Sequence, residues 1–208
     1  GTSLPIDIAS VAPDPSGNLI QTLRIRPLPP GQIVTVTLTA LVARRERPAP
    51  EGAFPIPKPD EYPEEVRPFL AGTTMVVVDH PIVRRTADDI LAKTHDAREV
   101  AIEIARLARE RPYLPPQGGD MALPTSAGVL KNGGSCCGSA VAAAAVFRAC
   151  GVPAQVTYCP PPSYVHGIVR FYLKGYGWTR MDATSGTGTF PLVQQERDLT
   201  LVRIFDTP

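Results

Sequence analysis

Apolar and polar positions change their period along this chain, and the change divides it. Over the first 48 residues they largely alternate, in Ile6-Asp7-Ile8, in Leu19-Ile20-Gln21-Thr22-Leu23-Arg24-Ile25 and in the run from Ile33 to Val42. A period of two is that of a strand with one buried face. The breaks between these runs, Pro13-Asp14-Pro15-Ser16-Gly17-Asn18 and Pro27-Leu28-Pro29-Pro30-Gly31, carry turn chemistry. Residues 1–48 therefore predict a small β segment. Proline then recurs at 48, 50, 55, 57, 59 and 63, which excludes regular helix and central strand and marks the best boundary. The expected division is a β segment over 1–48 and a core domain over 49–208.

Beyond the prolines the period lengthens. Short helical patterns fall at Glu64–Leu70 and Pro81–Ala92, and a stronger one runs from Asp96 to Arg111. There Val100, Ile104 and Leu107 form one stripe with Ala101 and Ala108 beside it, while Glu103, Arg106 and Glu110 turn outward, as in a helix packed on a core. Pro112 ends it, and the proline- and glycine-rich stretch from Pro115 to Gly134 reads as a long loop. The next helix, from about Cys136 to Cys150, has Ser135 or Gly134 at its N-cap and Gly151-Val152-Pro153 as its stop. Its middle, Ala140-Val141-Ala142-Ala143-Ala144-Ala145-Val146, is small on every side, which suits a buried helix that a sheet approaches closely. Strands are expected at Ala154–Cys159, Tyr164–Leu173 and Gly177–Ala183, with a hairpin through Lys174-Gly175-Tyr176-Gly177 and a closing strand at Leu199–Phe205. The fold class is α+β, a helix packed on an antiparallel sheet.

Composition narrows the function classes. The 208 residues are 43% hydrophobic and 20% charged with a formal net charge of +1, enough for one substantial core. Basic residues are interleaved with acidic ones and form no sustained basic face, so no nucleic-acid partner is expected. No segment is apolar for long enough to span a bilayer, so no membrane insertion is expected, and no hydrophobic leader opens the sequence. The compartment stays open between the cytoplasm and export after removal of a signal peptide. The four cysteines, Cys136, Cys137, Cys150 and Cys159, favour no disulfide pairing by their layout and are expected to be mostly free thiols.

The candidate chemistry starts at Gly133-Gly134-Ser135-Cys136-Cys137-Gly138, where a glycine pair runs into the small-residue helix. A thiol in the first helical turn faces unpaired N–H groups and the positive end of the macrodipole, which favour the nucleophilic thiolate. Cys137 meets the same terminus but points about 100° away around the helix. Downstream, His166 lies on a strand and Asp182 on the next, a base and a group to orient it. Whether they share a face depends on a register that the sequence leaves open. His80, before Pro81, and His95, at a helix start, read as surface or capping residues, and Tyr176 and Trp178 as core or hairpin aromatics. Adjacent helical cysteines diverge and no Cys-x-x-Cys pair is present, so Cys136, Cys137, Cys159 and His166 are not expected to bind zinc. Asp60, Glu61, Glu64 and Glu65 lack the spacing of a calcium loop. No metal and no cofactor is expected.

Together these elements resemble the transglutaminase-like superfamily of papain-like Cys-His-Asp cysteine enzymes, in its bacterial form. The family pattern appears as Gly134-Ser135-Cys136, then Arg148-Ala149-Cys150-Gly151-Val152-Pro153-Ala154-Gln155, His166, Gly177-Trp178 and Met181-Asp182-Ala183-Thr184, and the helix from Asp96 to Arg111 looks like the family's helix upstream of the thiol. The resemblance implies a transglutaminase-like core with Cys136 as nucleophile, chosen over Cys137 by the register to Arg148, His166 as base and Asp182 as its orienting partner. It implies thioester chemistry on peptide or protein amides, ending in hydrolysis, deamidation or transfer to an amine. Ile168 stands where many members carry tryptophan, Gln155 where they carry arginine, and Cys137 beside the nucleophile is unusual. Ile168 and Gln155 motivate an alternative, a non-catalytic module that binds a peptide or protein partner through the same cleft; a second, a disulfide or thiol-redox protein using Cys136 and Cys137, is disfavoured because it leaves His166 and Asp182 unexplained.

Overall fold

The computed structural model describes residues 6–13, 19–25, 30–31, 50–112, 125–159, 166–184 and 203–204. The chain divides into two units, Gly1–Arg47 and Pro48–Pro208. In the first, β1 (Ile6–Pro13) pairs antiparallel with β2 (Leu19–Ile25), from Ile6 opposite Ile25 to Pro13 opposite Leu19, with an irregularity between Ile8 and Ser10. Strand β1 thus runs past the expected Ile8 and ends on Pro13, a place where a missing N–H is tolerated. The expected strand from Ile33 to Val42 lies outside the described residues.

The second unit opens on a stretch pinned to its core by backbone. Phe54 N–H bonds the Asp96 carboxylate, Ala97 N bonds Phe54 O at 2.8 Å, and Ile56 N bonds His95 O at 2.9 Å. Single 3-10 turns follow at Pro59–Glu61 and Arg67–Leu70. Helix α1 (Pro81–Leu91) is capped by His80, whose Nδ1 accepts from Ile82 N–H at 3.3 Å. Helix α2 (Ala97–Arg109) is capped by Asp96, whose Oδ1 accepts from Arg98 and Glu99 N–H at 2.8 and 3.1 Å. Its apolar stripe buries Val100 and Ile104 as its spacing requires.

The expected loop from Pro115 to Gly134 needs correction. Residues Ser126–Asn132 form a helix, α3, capped by Thr125 and burying Val129 and Leu130. With two large apolar residues in seven positions, Gly128 inside and a glycine pair after it, the segment carries too little periodicity to be read as helix. Its burial comes from α4 (Cys136–Ala149), which lies beside it and buries eleven of its own fourteen residues. That enclosure explains why α4 has no polar face.

Helix α4 ends as the sequence demands. Cys150 caps it, Gly151 takes φ +85°, and Gly151 N and Val152 N bond back to Arg148 O and Phe147 O at 3.0 and 2.9 Å, a Schellman closure. The chain then enters an antiparallel sheet ordered β5-β4-β3-β6, formed by β3 (Ala154–Cys159), β4 (His166–Leu173), β5 (Gly177–Met181) and β6 (Arg203–Ile204). Val156, Val169 and Phe171 bury fully, with Phe171 stacked on Phe147 of α4 at 4.6 Å between ring centroids. On the strands' other side Tyr172 and Trp178 meet edge to face, and Tyr62 and Phe69 cover them. Trp178 is thus a packing residue, as expected, and Tyr176 packs edge to face on Phe54. The architecture is α+β, with the buried helix laid on an antiparallel sheet.

Candidate active site

Pro112 fixes the approach to the thiol. Its carbonyl accepts from Gly134 N–H at 3.3 Å, and a Cβ on Gly133, which sits at φ +87°, would fall 2.2 Å from the same oxygen. Only glycine turns the chain here. Ser135 then caps α4, its Oγ accepting from Gly138 N–H at 3.4 Å, so Cys136 is the first helical residue and lies at the positive end of the helix.

Strand β4 reaches this terminus through another glycine. A Cβ on Gly167 would lie 2.5 Å from Cys137 Cα and 3.1 Å from Cys136 O, so the strand and the first turn of α4 touch backbone to backbone. The sequence reading passed over Gly167, although a glycine inside a strand signals such an approach. The contact puts His166, the first residue of β4, beside Cys136: the imidazole and the Gly167 N–H both hydrogen-bond the thiol. On its other side His166 Nε2 lies 2.6 Å from Asp182 Oδ2, which leaves Nδ1 to face the sulfur. His166 and Asp182 are both largely shielded from solvent.

Asp182 follows β5 instead of lying inside it; the expected strand to Ala183 stops at Met181. The carboxylate itself accounts for the break. Its Oδ1 accepts from Thr184 N–H at 2.8 Å and from Thr184 Oγ1 at 2.7 Å, a local turn that competes with the ladder. Both oxygens are thereby engaged, one by Thr184 and one by the imidazole. Thr184 thus fixes the carboxylate, a part that only the Asp-x-Thr spacing signals in the sequence.

The electrostatics follow from these contacts. The Cys137 thiol, 3.8 Å from the Cys136 sulfur, the His166 imidazole and the Gly167 N–H outweigh burial and pull Cys136 down to about 4. Asp182 first, and the Cys136 sulfur second, push His166 up to about 10. Burial would raise the Asp182 carboxyl, but the bonds from His166 and Thr184 hold it below its usual range. Near neutrality the pair is a thiolate beside an imidazolium. At the far end of α4, by contrast, burial and the charge of Asp88 push Cys150 up to about 12. Cys136, Cys137 and Cys150 are not disulfide-bonded; the side chain of Cys159 lies outside the described residues.

A cavity of about 420 Å³ lies near this group, lined by its chain neighbours and not by Cys136, His166 or Asp182 themselves. Its wall includes Gly134 and Ser139 on either side of Cys136 in the chain, Thr184 at the Asp182 turn, and an apolar floor from Leu107, Val129 and Val146. Arg111 also lines it, its guanidinium donating to Leu107 O and Leu130 O at 2.8 and 2.7 Å. Of the three departures from the family pattern, Gln155 and Ile168 are buried on the sheet, opposite Arg170 and Thr157 respectively. Among the described residues no three His, Cys, Asp or Glu side chains cluster to hold a metal ion, and no helix is long and apolar enough to cross a membrane.

The structure thus brings together Cys136, His166 and Asp182, the three residues picked out by sequence. Comparison with known proteins agrees with the architecture. Residues 84–183 match the family described as the transglutaminase-like superfamily. The fold is similar to the crystal structure of a putative cysteine protease from Cytophaga hutchinsonii, with a TM-score of 0.51 and 20% identity, over 61% of this chain and 44% of that one. The chain therefore spans less than half of that protein. No curated protein matches the chain. Residues 84–183 form the transglutaminase-like, papain-like core of a cysteine-enzyme fold.

Proposed function

We propose that this protein is a cysteine enzyme that opens peptide or protein amide bonds through a thioester, with Cys136 as nucleophile, His166 as proton carrier and Asp182 as the group that orients it. The observation that carries this reading is the His166 Nε2 to Asp182 Oδ2 bond of 2.6 Å on an imidazole whose other side meets the Cys136 thiol. A protein that needed only a buried small side chain at position 136 has no use for this arrangement. Because the resting pair is already thiolate and imidazolium, attack on the amide carbonyl needs no prior proton transfer.

As the sulfur bonds to carbon, the carbonyl oxygen becomes an oxyanion, and the backbone N–H of Cys136, at the first position of α4, is the donor we assign to it. The imidazolium then protonates the leaving nitrogen, the C–N bond breaks, and a thioester remains with neutral His166. Water or an amine attacks the thioester, His166 takes its proton, and the thiolate leaves. Hydrolysis or deamidation yields an acid; attack by a lysine yields a new amide. The apolar cavity beside Ser139 and Thr184 suits a nonpolar side chain of the substrate next to the scissile bond.

The test is a panel of peptide amides, with and without an added alkylamine, read by mass spectrometry. The expected result is turnover, a covalent adduct on Cys136 trapped at early times, and loss of both in Cys136→Ala. Tight peptide binding by a folded protein with neither turnover nor adduct would overturn the reading in favour of a non-catalytic binding module, for which Ile168 and Gln155 are the motive.

A further inference from the structure

Side chains one residue apart on a helix point about 100° away from each other, yet the sulfurs of Cys136 and Cys137 lie 3.8 Å apart. No other cysteine described competes for this position. Cys150 closes the opposite end of α4, about 20 Å along the axis, with its thiol bonded to Ala87 O at 3.9 Å. Cys137 is 7% exposed and Cys136 half-buried, so a small oxidant reaches the Cys136 sulfur more readily than the Cys137 sulfur.

We propose that Cys136 and Cys137 are a redox modification site, at which a hydroperoxide drives formation of a reversible disulfide between the two neighbours and silences the nucleophile. The thiolate sulfur of Cys136 attacks the peroxide; an S–O bond forms, the O–O bond breaks, and an alcohol or water leaves after taking a proton from His166. The Cys136 sulfur is now a sulfenic acid. The Cys137 sulfur attacks it, loses its proton, and the S–O bond breaks with release of water. Two thiols and one hydroperoxide become one disulfide, one alcohol and one water, so the sulfurs are oxidised by the two electrons that the peroxide accepts.

The place in the fold makes the step feasible. Closing the bond brings the sulfurs from 3.8 Å to about 2 Å, which twists the Cys136–Cys137 peptide. At the first turn of a helix the amide groups have no carbonyl behind them to lose, and Gly133, Gly134 and Gly138 flank the pair. Adjacent residues hold their Cα atoms about 3.8 Å apart, closer than most disulfides accommodate, so small thiols reduce the bond readily. The twist also presses on Gly167, whose strand lies against Cys137 Cα. Oxidation thus removes the nucleophile and disturbs its cradle together, and it spares Cys136 from irreversible sulfinic acid. The proposal needs a reactive thiolate at Cys136 and nothing of the amide chemistry.

Trypsin makes it testable, since cleavage after Lys131 and Arg148 releases Asn132–Arg148, a peptide in which Cys136 and Cys137 are the only cysteines. The full chain is treated with hydrogen peroxide near neutral pH, blocked with iodoacetamide, digested and weighed. The expected peptide has lost two hydrogens and carries no alkyl group, and dithiothreitol given before the block restores alkylation. In Cys137→Ser the sulfenic acid on Cys136 instead persists long enough for dimedone to trap it, then proceeds to sulfinic acid. Wild-type peptide that gains oxygen without losing hydrogen overturns the proposal whether or not the variant folds. So does a loss of two hydrogens in Cys137→Ser, which would place the new bond on a backbone nitrogen.

Discussion

His166 mediates between two partners with opposite demands. Asp182 keeps the ring protonated, and the ring in turn keeps Cys136 deprotonated, so the charge on the carboxylate is felt at the sulfur two contacts away. The pair titrates as a unit, and its limits belong to both groups. With Cys136 held at about 4 and His166 at about 10, the alkylation rate of Cys136 should be nearly flat across neutral pH and fall as pH drops through the lower limit, where the thiolate is protonated. Amide turnover should also fall as pH rises through the upper limit, where the proton donor is lost. Asp182→Asn removes the charge that supports the imidazolium, so the alkaline limb should move to lower pH and the acid limb to higher pH. Turnover should drop by about 100-fold, at the low end for a positioned proton carrier. A pH–rate profile unchanged by this substitution would remove Asp182 from the mechanism. That Cys136, His166 and Asp182 meet was legible in the sequence because a thiol at a helix start and two polar residues on neighbouring strands stand in the order of the family pattern. Thr184 and the Cys137 thiol were less so, since their parts depend on a turn and a rotamer.

At the level of elements, the site exists because three terminations coincide: the start of α4, the start of β4 and the end of β5. Gly167 allows the first two to meet. Gly167→Ala places a methyl 2.5 Å from Cys137 Cα, a backbone atom that cannot swing aside, so strand and helix must part. A cost of roughly 1–3 kcal/mol in stability follows from such overpacking, and Cys136 alkylation near neutral pH should slow in the fraction that folds. Denaturant unfolding and alkylation kinetics measure the two effects separately. The opposite end of α4 is held by Arg148, 3% exposed, whose Nε and Nη2 donate to Ala154 O at 3.0 and 2.7 Å and whose Nη1 donates to Ala71 O at 2.6 Å. Arg148→Met strips these carbonyls of charged donors and should cost about 2–4 kcal/mol while leaving the pH limits of the surviving site in place. Helix α4 and strands β3 to β5 were legible because caps, glycine stops and alternation agree with one another. Helix α3 was not, because its two large apolar residues gain their burial from α4, a tertiary partner that no local pattern announces.

At the level of the whole chain, every group in the site comes from one unit. Cys136, His166, Asp182, Gly167 and Thr184 all lie between Pro48 and Pro208, within or one residue beyond the stretch that matches the transglutaminase-like superfamily. The helices and strands that position them lie there too. Proline spacing predicts a boundary after residue 48 on physical grounds: a run of prolines cannot join the ladders or helices on either side. It says nothing of where packing resumes. Pro50 is already buried, and the backbone of Phe54 to Ile56 is bonded to the start of α2, so the stretch after the boundary is a fastening of the second unit. We therefore propose that residues from Pro48 onward fold by themselves with the thiolate intact. A chain beginning at Pro48 should unfold cooperatively and should alkylate at Cys136 with the same pH dependence as the full chain. A chain beginning at Pro57 loses the Phe54 and Ile56 bonds and should be less stable, by a few kcal/mol for three such bonds. If the Pro48 chain were unfolded, or its Cys136 reacted only above the pH of an ordinary thiol, the first 47 residues would have to be counted as part of the core.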